Sequence, residues 1–171
     1  MKIAGPVPDG IGIERDEFGV PHIQVDDLAG AYWGMGYCHA LDRGMQMSLM
    51  RLLGQGRVAE CLDGSDESVE IDLFFRRMNW MGQTSDQVAQ LTPETRILVD
   101  AYCDGVNAQL TTSRRWEFRL LGYKPEAWTV EDTLLMARMT GYLTLAQSQA
   151  EIERLFVEMV QAGIDDARLE A

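Results

Sequence analysis

Only one part of this sequence reads as β-structure, and it is too small to stand by itself. Ile11 and Ile13 alternate with Gly12 and Glu14 at the two-residue period of a strand. Glu17-Phe18-Gly19 then turns the chain, Gly19 being free to take positive φ. Ile23 and Val25 share one face of a second strand, so that residues 11–25 form a hairpin. Pro21 has no N–H for a ladder, which places its strand at an edge or delays its pairing. A lone hairpin is marginal in water and needs further strands or a helix against it. The other strand candidate is a short one within Val69 to Phe75. A sheet completed by something outside this sequence is therefore the first expectation.

The rest is helical by pattern. From Asp26 or Asp27, good N-cap residues, apolar residues recur at Leu28, Tyr32, Met35, Leu49 and Leu52 in helical spacing. That helix is roughly 35–40 Å long at about 1.5 Å per residue. Gly30, Gly34, Gly36 and Gly44 lie inside it, each costing about 1 kcal/mol against alanine. Such glycines imply neighbours packed close on several sides, and Gly54 and Gly56 suit its end. Asp63-Gly64-Ser65-Asp66 is a turn. Thr92-Pro93-Glu94 starts another helix, with a capping hydroxyl, an early proline and an acid at the positive dipole end. Its buried stripe is Ile97, Leu98, Ala101, Tyr102, Gly105 and Val106. After a loop at residues 121–128, Thr129 and Asp132 form a capping box for a helix carrying Leu134, Leu135, Met136 and Met139. A last helix runs from about Ala150 to Ala162, with Gly163 as its cap.

Charge removes two classes of partner. A net charge of -12 argues against nucleic acid, which needs clustered Lys and Arg, and against an anionic membrane surface. No apolar run reaches the ~20 residues of a membrane span. Met1-Lys2-Ile3-Ala4-Gly5-Pro6 has no h-region, so no signal peptide is expected there. Cys38, Cys61 and Cys103 are odd in number and widely spaced, as free thiols are. Cys38 and His39 resemble a nucleophile–base pair, but neighbours on a helix point about 100° apart. His39 and Asp42 instead share a face and suit a structural polar pair with Arg43. Met35, Met45, Met47, Met136 and Met139 fill core gaps or line an adaptable pocket. No phosphate loop, dinucleotide fingerprint or nucleophile elbow is present. No organic cofactor is expected, and no complete catalytic site lies in this chain.

Several segments in order carry a family likeness. They are Arg15-Asp16-Glu17-Phe18-Gly19-Val20-Pro21-His22-Ile23, the helical Gly36-Tyr37-Cys38-His39-Ala40-Leu41-Asp42-Arg43-Gly44-Met45-Gln46-Met47, and Gly56-Arg57-Val58-Ala59-Glu60. To these are added Ala101-Tyr102-Cys103-Asp104-Gly105-Val106-Asn107, Leu121-Gly122-Tyr123-Lys124-Pro125-Glu126-Ala127-Trp128 and Glu131-Asp132. Taken together, the chain resembles the penicillin acylase family of N-terminal-nucleophile hydrolases, departing at Gly44 and Leu52, which are not catalytic positions there.

The resemblance implies an α+β fold class. Residues 1–171 would be one unit, a mostly helical α chain that completes a four-layer αββα sandwich with a β chain cut from the same precursor. The β chain's N-terminal Ser would attack the amide, with its own α-amine as base. The α chain would shape the acyl pocket. Aligned on the family, Gly141 stands at a Met position, Thr144 at an Arg position and Leu145 at a Phe position. Glu151 stands where relatives give one carboxylate to a structural Ca²⁺; a Glu at a helix start is also favourable dipole chemistry. Relatives are commonly exported, which implies a periplasmic setting. The implied substrates are small N-acyl amides: aliphatic ones such as N-acyl-homoserine lactones, or penicillin G-type and cephalosporin side chains. A non-catalytic helical binding or scaffold protein is the alternative from another class.

Overall fold

A computed structural model describes residues 7–111 and 116–164. Met1–Pro6, the expected start without a signal peptide, lies outside the described residues. By its internal contacts the chain divides into two units, Met1–Met136 and Ala137–Ala171.

The first unit begins with the hairpin. Strands β1 (Gly12–Arg15) and β2 (Pro21–Gln24) pair antiparallel, with Ile13 opposite Ile23 and Pro21 at the last rung opposite Arg15. Gly19 makes the turn at φ 80°. Among the described residues these two strands are the whole sheet. Their support is a helix: Ile13 is buried with Tyr37 and Cys38, and Ile23 packs against them.

That helix is α1 (Leu28–Gln55), 28 residues long. Asp27 caps it by accepting from the Gly30 N–H at 2.7 Å, and Gly56 ends it at φ 63°. Arg43 leaves helical geometry (φ -132°, ψ 17°) beside Gly44, so the helix is kinked. The expected apolar stripe is mostly not the buried face. Leu52 is buried, but Leu28, Met35 and Leu49 are exposed. The buried face is made instead by Gly34, Gly36, Tyr37, Ala40, Gly44, Met47, Ser48 and Arg51. The cause is helix α5 (Pro93–Leu110), which crosses α1 so closely that small residues must meet backbone. A Cβ on Gly36 would strike the Tyr102 carbonyl oxygen, and one on Gly105 would strike that of Trp33.

Thr92 caps α5 as expected, accepting from Thr95 N–H. Cys103, Gly105, Val106, Gln109 and Leu110 are buried. Ile97 is 60% exposed, contrary to the expected stripe, and Val99 packs against the core instead. Met47 is core, with Met45 and Met136 packed against it.

No strand forms at Val69 to Phe75; residues Asp66–Met78 are helix α3. End effects decide this. Ser65 caps the start, Asp66 and Glu67 sit in the first turn, Arg76 and Arg77 in the last, and Asn79 closes it in the left-handed region. Asp72 of α3 accepts from the Val58 and Ala59 N–H groups, both at 2.8 Å, satisfying the open end of the short helix α2 (Val58–Cys61). Short helices α4 (Thr84–Ala89) and α6 (Trp116–Leu120) precede α7 (Val130–Gly141).

In the second unit a π-helical turn, Tyr142–Ala146, succeeds the end of α7 and leads into α8 (Gln147–Gln161). The last helix therefore starts three residues before the expected Ala150, and its flanking residue Ala146 is itself helical (φ -70°, ψ -34°). Gly163 comes after it at φ 76°.

The α1–α5 crossing gives a direct test. Gly105→Ala should cost about 3 kcal/mol or more, since the new methyl meets backbone that cannot yield without parting the helices. Gly141→Ala, with nothing within 4 Å of its Cβ, should gain up to about 1 kcal/mol. Denaturant midpoints of the two variants, measured side by side, check the contrast.

Candidate functional site

Two of the family-like segments, residues 121–128 and 131–132, meet around one buried cation, and residues 56–60 and 101–107 join them at its edge. Arg51 of α1 is 1% exposed. Its Nη1 donates to Ala127 O at 3.1 Å and to Asp132 Oδ2 at 3.2 Å. Its Nη2 donates to the Tyr123 hydroxyl at 3.2 Å and to Glu126 O at 3.3 Å. The guanidinium lies 5.3 Å from the Trp128 ring centre, within cation–π range. A planar fork of donors can serve four acceptors in this way, where an ammonium could not.

Asp132 joins that cluster to the start of α7. Its Oδ2 accepts from Thr129 N–H at 2.9 Å while Thr129 Oγ1 accepts from Asp132 N–H at 3.3 Å, the reciprocal capping box. Its Oδ1 takes Gln55 Nε2 at 3.1 Å. Asn107 of α5 clamps the same loop from the other side, donating to Trp128 O at 2.9 Å and accepting from Trp128 N–H at 2.7 Å. Arg57 bridges Glu126 and Glu60, both at 3.0 Å, and these two carboxylates raise the arginine's pKa. Arg51 was not among the expected site residues. Nothing in the local pattern marks it, because the acid it pairs with lies 81 residues away.

The histidines and cysteines form no nucleophile–base pair among the described residues. Cys38 is buried, and burial pushes its thiol pKa up, whereas His39 lies on the exposed side of the helix. The expected His39–Asp42 pair does not form. Asp42 Oδ1 accepts from Arg15 Nη2 at 2.6 Å, a partner that is always charged and reaches it from the end of β1. His39 Nδ1 lies 3.1 Å from the Tyr102 hydroxyl. Desolvation lowers the His39 pKa, Arg43 adds to this, and Asp42 opposes it. Burial lifts Tyr102 to about 12 and Cys103 to about 11, so both stay protonated near neutrality. His22 sits 3.0 Å from Asp16 Oδ2 at the hairpin turn, and that bond, with the Val20 and Phe18 N–H groups, holds the carboxyl below its usual range.

The expected acyl-pocket residues fall together at the end of α7 and in the π turn. Gly141 has open space around it. Thr144 Oγ1 donates to Thr140 O at 2.6 Å. Leu145 is 75% exposed. Glu151 is exposed inside α8, and because helix precedes it, the helix-start explanation for this acid does not hold. Among the described residues, no group of three or more His, Cys, Asp or Glu gathers to hold a metal. Ile152, Leu155, Phe156 and Val160 give α8 an exposed apolar stripe at helical spacing.

Comparison with known proteins fits this arrangement. The penicillin amidase family model matches residues 11–171, and the chain belongs to that family. It is 35% identical over 152 residues to penicillin G acylase of Escherichia coli, covering 85% of this chain and 18% of that sequence. It is 34% identical over 161 residues to the acyl-homoserine lactone acylase QuiP of Pseudomonas putida, covering 91% and 19%. The chain thus spans about a fifth of the length of these relatives. A solved thermostable penicillin G acylase from Alcaligenes faecalis matches with a TM-score of 0.71 at 27% identity, over 94% of this chain and 87% of that one. The fold class agrees with the resemblance: mostly helical, with one small sheet, like a chain of an N-terminal-nucleophile hydrolase.

The Arg51 cluster yields the second test. Arg51→Ala should destabilise the protein by about 3–5 kcal/mol, because Asp132 is left buried without its charge partner. Arg51→Met with Asp132→Asn should cost clearly less than Arg51→Ala alone. Thermal midpoints of the three variants measure this, and an Arg51→Ala loss under about 1 kcal/mol would remove the cluster from its structural role.

Proposed function

We propose that this chain is the α subunit of an N-acyl amidohydrolase, completed by a β chain from the same precursor. One observation carries the reading: the chain matches nearly the whole of a solved acylase chain, yet only a fifth of its relatives' sequences. The exposed stripe of α8 and the two-stranded sheet fit a chain that buries both against a partner. In this reading the N-terminal Ser of the β chain attacks the amide carbonyl, its α-amine takes the proton, and water releases the acyl group. The α chain contributes no nucleophile and supplies a wall of the acyl pocket through the short segment that carries Gly141, Thr144 and Leu145.

Within that reading, aliphatic N-acyl amides such as N-acyl-homoserine lactones are the preferred substrates over phenylacetyl amides. Gly141 presents no side chain, and Leu145 offers a branched alkyl group where an aromatic ring would stack. A linear acyl chain gains about 0.8 kcal/mol for each CH₂ it buries. Gly141→Met should therefore lower kcat/KM for C10 and C12 acyl-homoserine lactones about tenfold more than for C4, roughly two buried methylenes' worth. Kinetics of the two-chain enzyme across C4 to C12, with penicillin G alongside, test this. A clear preference for penicillin G would overturn the aliphatic reading.

Glu151 is assigned a second part in the same reading, as one carboxylate ligand to a structural Ca²⁺ whose other oxygens come from the β chain. An exposed carboxylate suits a hard, oxygen-seeking cation. Glu151→Ala should lower the thermal midpoint of the complex, and the difference should vanish in chelator, since an ion bound only by the folded state stabilises it. An equal loss with and without chelator would remove Glu151 from the metal.

A further inference from the structure

The helix through the acyl-wall segment is widened. In the π turn Tyr142–Ala146, N–H groups reach five residues back and the turn takes in one extra residue. Gly141 directly precedes it, and no proline or glycine lies within it. Two hydroxyls are bonded into its backbone instead. Thr144 Oγ1 donates to Thr140 O at 2.6 Å, and Ser148 Oγ donates to Thr144 O at 3.0 Å. Each bond runs from residue i to the carbonyl of i−4, which a regular α-ladder gives to a backbone N–H. Thr144 stands at the centre of the pair, donating with its side chain and accepting with its carbonyl.

We infer that Thr144 is a positioning residue, not a contact for the acyl group: with Ser148 it holds the π turn, and the turn sets where the acyl wall stands. The inference rests on the reading of residues 141–145 as that wall. An extra residue in one turn rotates the downstream helix by about 100° relative to the upstream one. The turn therefore fixes the angle between Gly141 before it and α8 after it, with Leu145 inside. A threonine at this place works on the backbone, and the substrate feels it only through the position of its neighbours.

Thr144→Val keeps the shape of the side chain and removes the donor, whereas Thr144→Ser keeps the donor. In the two-chain enzyme, Thr144→Val should raise KM for the best acyl-homoserine lactone about fivefold while kcat stays within about twofold. Amide exchange over residues 140–148 should quicken by about tenfold, reporting the loosened turn. Thr144→Ser should restore both, and Ser148→Ala should move both in the same direction by less. Wild-type KM and exchange in Thr144→Val, or equal impairment in Thr144→Ser, would overturn the inference. If Thr144→Val does not assemble, Ser148→Ala decides: unchanged exchange and KM overturn it. Gly141→Met keeps the two readings apart. A chain-length profile that ignores Gly141→Met removes the wall and this inference together; a profile that responds to Gly141→Met but not to Thr144→Val removes this inference only.

Discussion

Two glycines and two carbonyls set the distance between α1 and α5, and most of the first unit depends on that distance. Gly36 lies against Tyr102 O and Gly105 against Trp33 O, so each helix presents bare backbone to the other. At such an approach bulky side chains are excluded from the contact, and dispersion between backbones takes their place. This explains why α1 hides small residues and leaves Leu28 and Leu49 outside. It also explains why the hairpin has a floor. Tyr37 and Cys38, fixed by the crossing, are what Ile13 packs against.

The same crossing brings Arg51 and Asn107 to the loop before α7. Arg51 approaches from α1 and Asn107 from α5, and between them they bond Ala127, Glu126, Trp128, Tyr123 and Asp132. An irregular loop is thereby held by side-chain donors that stand in for the backbone ladder of a helix. A buried ion pair contributes little net stability in general. Here its yield is geometric, because Asp132 is both the counter-ion and half of the α7 cap.

The elements whose ends are written in local chemistry were legible from sequence: the turn at Gly19, the caps at Asp27, Thr92 and Thr129, and the loop closed by Trp128. Family likeness supplied the class. What local pattern could not supply was anything fixed by a distant neighbour. Val69 to Phe75 has strand-like composition, yet Ser65 and Asn79 outside it make it a helix. Asp42 has His39 one turn away, yet takes Arg15 from β1. The π turn is invisible to a period of 3.6, since the apolar spacing of residues 142–146 gives no sign of an extra residue.

The hairpin carries a consequence for the order of assembly. Among the described residues the sheet has two strands, and a sheet so small gains from a further row of strand pairing. Two kinds of strand can fill such a row: the intended neighbour or a second copy of the same hairpin. Their competition is decided by local concentration. A neighbour tethered on the same polypeptide is met at an effective concentration on the order of millimolar, far above that of another copy in a dilute cell. On the two-chain reading proposed above, synthesis as one precursor would let the sheet close before cleavage releases the tether.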